Sequence, residues 1–243
     1  MPDYRLLIDD KESGTWNMSV DEALLQTASD RGQATLRFYQ WSVPTLSLGY
    51  FQQHDLRREH VASANCPVVR RSSGGGAIVH DREITYSLVI PLRDRWSVKA
   101  AELYTTVHES LIDLLRTLNA NGELYSGDTS STPFLCFQRR APGDVVVNHS
   151  KIMGSAQRRA KGALLQHGSL ILGRSAAAPE ILGLREIMDV PFSRAEIIRQ
   201  WTVLLGRRLS ADFRPDTLAP EELDRIKCLA AEKYGHPAWT QRR

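Results

Sequence analysis

Arg70-Arg71-Ser72-Ser73-Gly74-Gly75-Gly76-Ala77-Ile78-Val79-His80-Asp81 joins two apolar segments, Pro67 to Val69 and Ile84 to Ile90, both of strand-like composition. Glycine takes positive φ without steric cost and lets the backbone approach a bound group. Three in a row weaken a strand that has no other use for them. A tight strand-loop-strand with outward N–H groups cradles an anion or a carboxylate, and Arg70 and Arg71 add charge beside it. A plain glycine hairpin ends in the same residues, so the glycines alone leave both readings open.

The neighbouring sequence supplies a sheet for this loop. Before it, Tyr4 to Ile8 reads as a strand, with a turn through Lys11 to Gly14. A helix begins near Asn17, where Ser19 and Glu22 have capping-box spacing, and Gly32 stops it. Leu36 to Tyr39 and Thr45 to Phe51 are β segments split at Pro44, and His54 to Ala64 is a polar helix candidate. After the loop, Ser97 to Asn119 carries the longest helical pattern, with Tyr104, Val107, Leu111, Leu114, Leu115 and Leu118 on one face.

Between Ser126 and Pro142 the composition turns to Ser, Thr, Gly and Pro, with Phe134, Leu135, Cys136 and Phe137 embedded in it, which reads as a mobile functional loop with an apolar tip. Asp144 to Asn148, Lys151 to Arg159 and Ala163 to Leu172 form an antiparallel hairpin or meander. From about Ala176 the chain turns helical, over Pro179 to Leu184, Ser193 to Leu205 and Ala219 to Tyr234. With no internal repeat and no long linker, the reading is one α+β domain over residues 1–243 with a helical C-terminal end.

Composition narrows the class. The 243 residues are 42% hydrophobic, ample for a core. No run approaches a membrane span and the N-terminus lacks the regions of a signal peptide, so the expected compartment is the cytoplasm. A net charge of +3 is not the signature of a nucleic-acid binder. Cys66, Cys136 and Cys228 are too few and too widely spaced for a disulfide framework or a zinc site, and no metal is expected. Cys66 precedes a core strand and Cys228 falls on the apolar side of the last helix, so both read as packing residues. Arg139, Arg140, Lys151, Arg158, Arg159 and Lys161 concentrate positive charge, either a solvated surface or a docking patch for an acidic partner.

These motifs together resemble the lipoate-protein ligase and octanoyltransferase superfamily. Arg70 to Asp81 is similar to its R-R-x-S-G-G-G-A-x-x-H-D signature, Lys151 to Gln157 to K-x-x-G-S-A-Q, and Leu165 to Ser169 to L-Q-H-G-S. Asn17 to Leu24 is similar to its N-M-x-x-D-E-x-L helix, and Arg37-Phe38-Tyr39 with Gly49 to Gln52 also fits. The resemblance implies the fold of the biotin and lipoate ligase catalytic domains: mixed, largely antiparallel sheets with flanking helices, and an acyl group in a tunnel. It implies attachment of octanoate or lipoate to one lysine of a lipoyl domain, such as glycine cleavage H protein or a 2-oxoacid dehydrogenase E2.

Three reactions fit that family: octanoyl transfer from acyl carrier protein through a cysteine thioester, transfer between lipoyl domains, and ATP-dependent ligation needing ATP and Mg. The segment Cys136-Phe137-x-x-x-Ala141-Pro142 resembles the C-F-x-A-P loop of the cysteine-dependent octanoyltransferases, with a longer spacing between Phe137 and Ala141, and His80 to Ser87 resembles their H-D-x-E-x-T-Y-S form. Gly74-Gly75-Gly76 is the ligase-like form. The transferase reading needs no cofactor and makes Cys136 the nucleophile, with Arg139, Arg140 and Lys151 placing positive charge around it. Lys151 is read as stabilising an oxyanion or holding an adenylate. Arg70, Arg71, Ser73, Gly74, Gly75, Gly76, His80, Gly154, Ser155, Ala156 and His167 are read as acyl- or substrate-binding residues. A non-catalytic acyl-binding protein is the reading from another class.

Overall fold

The computed structural model describes residues 1–129, 133–188 and 191–243; residues 130–132 of the loop before Cys136 lie outside them. Strand β1 (Asp3–Glu12) leads into helix α1 (Gly14–Arg31), followed by β2 (Thr35–Trp41), β3 (Thr45–Leu48), β4 (Val68–Arg70), β5 (Ile78–His80) and β6 (Glu83–Pro91). Then come α2 (Ala100–Thr117), β7 (Gly122–Leu124), β8 (Val145–Val147), β9 (Ser150–Ala160) and β10 (Ala163–Ile171). The chain closes with α3 (Leu184–Ile187), α4 (Arg194–Leu209), β11 (Asp212–Pro215), α5 (Pro220–Leu229) and α6 (Pro237–Thr240).

Two sheets result. Eight strands run in the order β11-β1-β2-β6-β10-β9-β8-β7, and β4-β3-β5 form a small second sheet. Among the described residues, only β1 with β11, β1 with β2, and β3 with β4 pair as parallel strands, so the sheets are mixed and largely antiparallel as expected. The β9–β10 hairpin closes on Lys161 and Gly162, both at positive φ, the two-residue turn whose twist matches the strands it joins.

Alternation along the strands separates two layers. On one face Phe38, Tyr86 and Leu88 pack with α2 and α4, where Trp201 is buried against Phe38 and Tyr86 and donates to Ser110 Oγ at 2.8 Å. On the other, Leu7, Val89 and Leu165 pack against Val20, Leu24 and Ala28 of α1 and Ile226 of α5. Buried Arg5 pairs with Asp216 at 2.6 Å and Glu222 at 2.7 Å, tying β1 to α5. The small sheet covers the N-terminal half of α1, where Met18 packs with Tyr39, Trp41 and Val69.

Several expectations change. α1 starts at Gly14, capped by Ser13, whose side chain accepts from the Trp16 N–H; Ser19 instead donates to Thr15 O inside the helix, and Glu22 binds Lys233 and Tyr234. His54 to Ala64 forms 3₁₀ turns over His54–Glu59 and Val61–Ser63 because it has no apolar face to bury. The C-terminal end is not wholly helical: Pro179 to Gly183 is irregular, and β11 adds an edge strand beside β1. Cys228 is exposed, since α5 buries Glu222 and Ile226 and Cys228 lies half a turn off that stripe. The apolar tip at Leu135 and Phe137 is buried, with Leu135 bridged to Ala77.

Candidate active site

A cavity of about 460 Å³ lies on the α1 face, between the large sheet and the small sheet with its glycine loop; its lining includes Met18, Tyr39, Ile78, Cys136, Phe137 and His167. Buried backbone carbonyls in a turn need donors, and the two arginines supply them. Arg70 donates to the carbonyls of Gly49, Tyr50, Gln52 and Thr240, and Arg71 to Ser47, Gly74 and Gly76. Burial pushes the Arg71 guanidinium down to about 10, with little offset from nearby charge. The expectation that both arginines offer charge to a bound anion is therefore revised. They brace the loop from inside, Arg71 at the cavity wall and Arg70 outside its lining.

The glycine loop touches the cysteine segment directly. Ala77 N–H donates to Phe134 O at 2.9 Å, and Cys136 N–H donates to Ala77 O at 2.7 Å. A Cβ at Gly76 would stand 3.1 Å from Cys136 N and 3.2 Å from its Cα, so glycine is what permits this approach. A 3₁₀ turn over Cys136–Gln138 follows, and the Ala141 N–H donates to Asp144 Oδ2 at 2.7 Å. That carboxylate also holds Lys151 Nζ at 2.8 Å, and Nζ lies 3.5 Å from Cys136 Sγ and 3.4 Å from Cys136 O.

A bulge puts Lys151 there. Strict alternation would set it on the face of Met153 and Ser155. The β8–β9 register shifts at Val145/Val146, consecutive Ile152 and Met153 both enter the core, and the Lys151 side chain crosses Gly154. A Cβ on Gly154 would lie 2.7 Å from Lys151 Cε.

Three histidines hold the surroundings. His167 Nδ1 donates to Asp21 Oδ2 at 3.0 Å, so its Nε2 accepts from Ser73 Oγ at 2.5 Å, strapping the glycine loop to α1. Asp21 also receives Arg37 and Tyr39, and Asn17 receives Arg37. Burial alone would raise the Asp21 carboxyl; the His167 hydrogen bond and the Arg37 charge override it and hold it below the usual range. His80 bridges Glu83 Oε1 at 2.6 Å and Ser47 Oγ at 2.7 Å, stacked on Trp41. His108 of α2 bonds Gly143 O at 2.6 Å through Nδ1 and Ser155 Oγ at 2.7 Å through Nε2. It anchors the chain immediately before Asp144.

The structure thus gathers Arg71, Gly75, His80, Cys136, Gly154, Ser155, Ala156 and His167 around one cavity, with Lys151 reaching Cys136 beside it. Ser73, Gly74, Gly76 and Arg70 stand behind the lining. Asp21, Glu83, His108 and Asp144 were not singled out as site residues. For His108 the signal was a lone histidine beside Val107 on an apolar helix face; Asp144 carried none. The six-cation cluster is partly internal, because Lys151 is buried, Arg158 donates to Ser72 O at 2.5 Å and Arg159 to Ser97 O. Among the described residues, no group of three or more His, Cys, Asp or Glu is placed to hold a metal ion, and no helix is long and apolar enough to cross a membrane.

The model of the lipoyl protein ligase A/B catalytic domain matches residues 13–180. The chain belongs to this family. Within it, the octanoyltransferase LipM of Kyrpidia tusciae is 32% identical over 276 residues, covering 100% of both chains, and that of Bacillus anthracis is 29% identical over 264 residues, covering 95% of each. Among solved structures, Ta0514 of T. acidophilum, a putative lipoate protein ligase with bound lipoic acid, superposes with a TM-score of 0.81 at 23% identity, covering 99% of this chain and 100% of that one. Lipoate-protein ligase A bound with ATP gives 0.79 at 22%, covering 99% of each chain. These two show that the fold is that of the lipoate ligase catalytic domains.

Two outcomes follow from the geometry of this lipoyl protein ligase A/B domain. Gly76→Ala makes the Cys136 backbone give by a few tenths of an ångström and lowers kcat, by less than the roughly 100-fold that goes with a misplacement near 1 Å, while Tm changes little; an unaltered kcat would show that the close approach is dispensable. His108 is fully buried; burial pushes its imidazole down to about 4, with a small push from Lys151 and opposition from the Gly143 hydrogen bond. The unfolded chain binds that proton near 6.5, so this contribution is complete above pH 6.5 and is lost as pH falls towards 4, about 3 kcal/mol at most. Denaturation against pH should show a shallower slope in this window for His108→Asn; an equal slope refutes the assignment.

Proposed function

We propose that the chain is an octanoyltransferase that takes an octanoyl group from the thioester of an acyl carrier protein and passes it to a lysine of a lipoyl domain through Cys136. The observation that carries this is Lys151 Nζ at 3.5 Å from Cys136 Sγ, at the edge of a cavity of about 460 Å³ lined mostly by carbon. Kinship with octanoyltransferases over the full chain supports it.

In the first step Cys136 sulfur attacks the carrier thioester carbon. The tetrahedral oxyanion forms beside the Lys151 ammonium, which the ion pair with Asp144 keeps in place. The carbon–sulfur bond to the carrier breaks, its thiol leaves with the Cys136 proton, and an acyl-enzyme remains. In the second step the ε-amine of a lipoyl-domain lysine attacks that thioester, the amide forms, and the amine proton returns to the Cys136 sulfur. A thioester is already activated, so neither step needs ATP. The acceptor is an apo lipoyl domain, whether of H protein or of an E2, and the exposed Arg140 is suited to an acidic donor or acceptor.

Intact-mass spectrometry with peptide mapping tests the reading. Octanoyl carrier protein without ATP should leave one octanoyl group on Cys136, discharged when an apo lipoyl domain is added. No adduct, together with AMP release when free lipoate and ATP modify the lipoyl domain, would make the chain a ligase.

A further inference from the structure

We propose that Phe137 sets the length of acyl chain this protein accepts, by walling a second apolar chamber off from the cavity beside Cys136. This rests on the octanoyl-transfer reading.

Phe137 follows the proposed nucleophile and is only 9% exposed. It borders three spaces: the cavity holding Cys136, the open groove along Lys151, and a smaller, narrow chamber behind the glycine loop. Leu135, Ile171, Ala178 and Ile181 form its apolar part, Arg82, Glu83 and Ser175 its polar part, and it shares Phe137 and Ile78 with the main cavity. His80, Thr85 and Ser169 of the main cavity are hydrogen-bonded to Glu83, which itself lines the second chamber, so the apolar part of the boundary between the two spaces is Phe137 and Ile78. A chain longer than the main cavity has an apolar continuation past Phe137 and Ile78. Methylenes gain on leaving water for such a lining.

The backbone turn that carries the ring also carries the nucleophile. Gln138 N–H donates to Leu135 O at 3.2 Å and closes the turn that carries both residues, and Leu135 is bridged to Ala77 of the glycine loop. The residue that bounds the alkyl chain is thus held by the contacts that hold Sγ. Chemistry and length selection share one short turn.

Opening the wall and then plugging the space behind it tests the assignment. Acyl-enzyme would be quantified by mass after incubation with equal octanoyl and dodecanoyl carrier thioesters, for wild type, Phe137→Ala, and Phe137→Ala with Ala178→Met. Ala178 lines the rear chamber and not the main cavity, so methionine there fills only the added space. Wild type should carry mainly octanoyl, Phe137→Ala should move the ratio towards dodecanoyl at least about tenfold, and the double variant should return it to within about twofold of wild type. Should Phe137→Ala not fold, Ile78→Ala opens the same wall and carries the same expectation. An unchanged ratio beside normal wild-type acylation, or no reversal by the plug, overturns the partition alone. Absence of acylation of wild type at any chain length overturns the transfer reading and the partition with it.

Discussion

Cys136→Ser reduces octanoyl transfer to a lipoyl domain to background, a loss of about 10⁴-fold or more, the scale seen when a covalent nucleophile is removed. A serine hydroxyl beside Lys151 is a far weaker nucleophile than a thiol, and any ester it formed would be a poorer acyl donor than a thioester. The turn over Cys136–Gln138 is held by backbone hydrogen bonds and by buried Leu135 and Phe137, none of which involves Sγ, so the variant keeps its fold. Cys66→Ser and Cys228→Ser serve as the counterparts. Burial pushes the Cys66 thiol up, the hydrogen bond to Glu232 does so for Cys228, and neither thiol lines the cavity. Both variants should transfer at the wild-type rate. Single-turnover transfer by all three decides the matter: activity surviving in Cys136→Ser would remove the thioester from the mechanism.

Lys151→Met costs about 10²- to 10³-fold in kcat, the magnitude of one lost oxyanion partner. It also destabilises the protein by about 3–5 kcal/mol, because it leaves the Asp144 carboxylate buried without its cation. The two effects separate in a double variant. Lys151→Met with Asp144→Asn removes both charges, and the amide oxygen introduced by the second substitution can still accept from the Ala141 N–H, so Tm recovers while kcat stays low. Thermal denaturation beside steady-state kinetics reads both quantities. If kcat recovered with Tm, Lys151 would be a structural cation and the oxyanion would have to be received elsewhere.

Local rules carried much of the architecture. Alternation and turn residues gave β2, β6, β9 and β10 nearly to the residue, because their inward faces are apolar and the Lys161-Gly162 turn admits one register. Periodicity gave α2, whose buried stripe includes Leu103, Val107, Leu111 and Leu115. The start of α1 was misread because Ser19 and Glu22 have the spacing of a cap but sit one turn inside; Glu22 is spent on Lys233 and Tyr234, more than 200 positions away. β11 went unread since four residues with one half-buried phenylalanine make no pattern, and only the open edge of β1 selects them.

The candidate site divides in the same way. Motif and residue type singled out Cys136, Lys151, the glycine loop and His167 as candidates, and the fold brings them to or beside one cavity. The roles of Arg70 and Arg71 could not be read, because an arginine facing a ligand and one facing its own carbonyls are the same letter.

What the chain determined by itself is therefore most of its strands and helices, its family and the candidates for its reactive side chains, all of which follow from nearest neighbours in sequence. Only the folded structure decided which of those side chains meet. Fifteen residues separate Cys136 from Lys151, and their 3.5 Å contact requires three tertiary facts. Gly76 lets the cysteine turn lie against the glycine loop, Asp144 ties Ala141 to the ammonium, and a bulge in β9 turns Lys151 to the cavity face. Each is a steric or hydrogen-bonding constraint between segments that are distant in sequence or differently paired, and local composition holds no record of it.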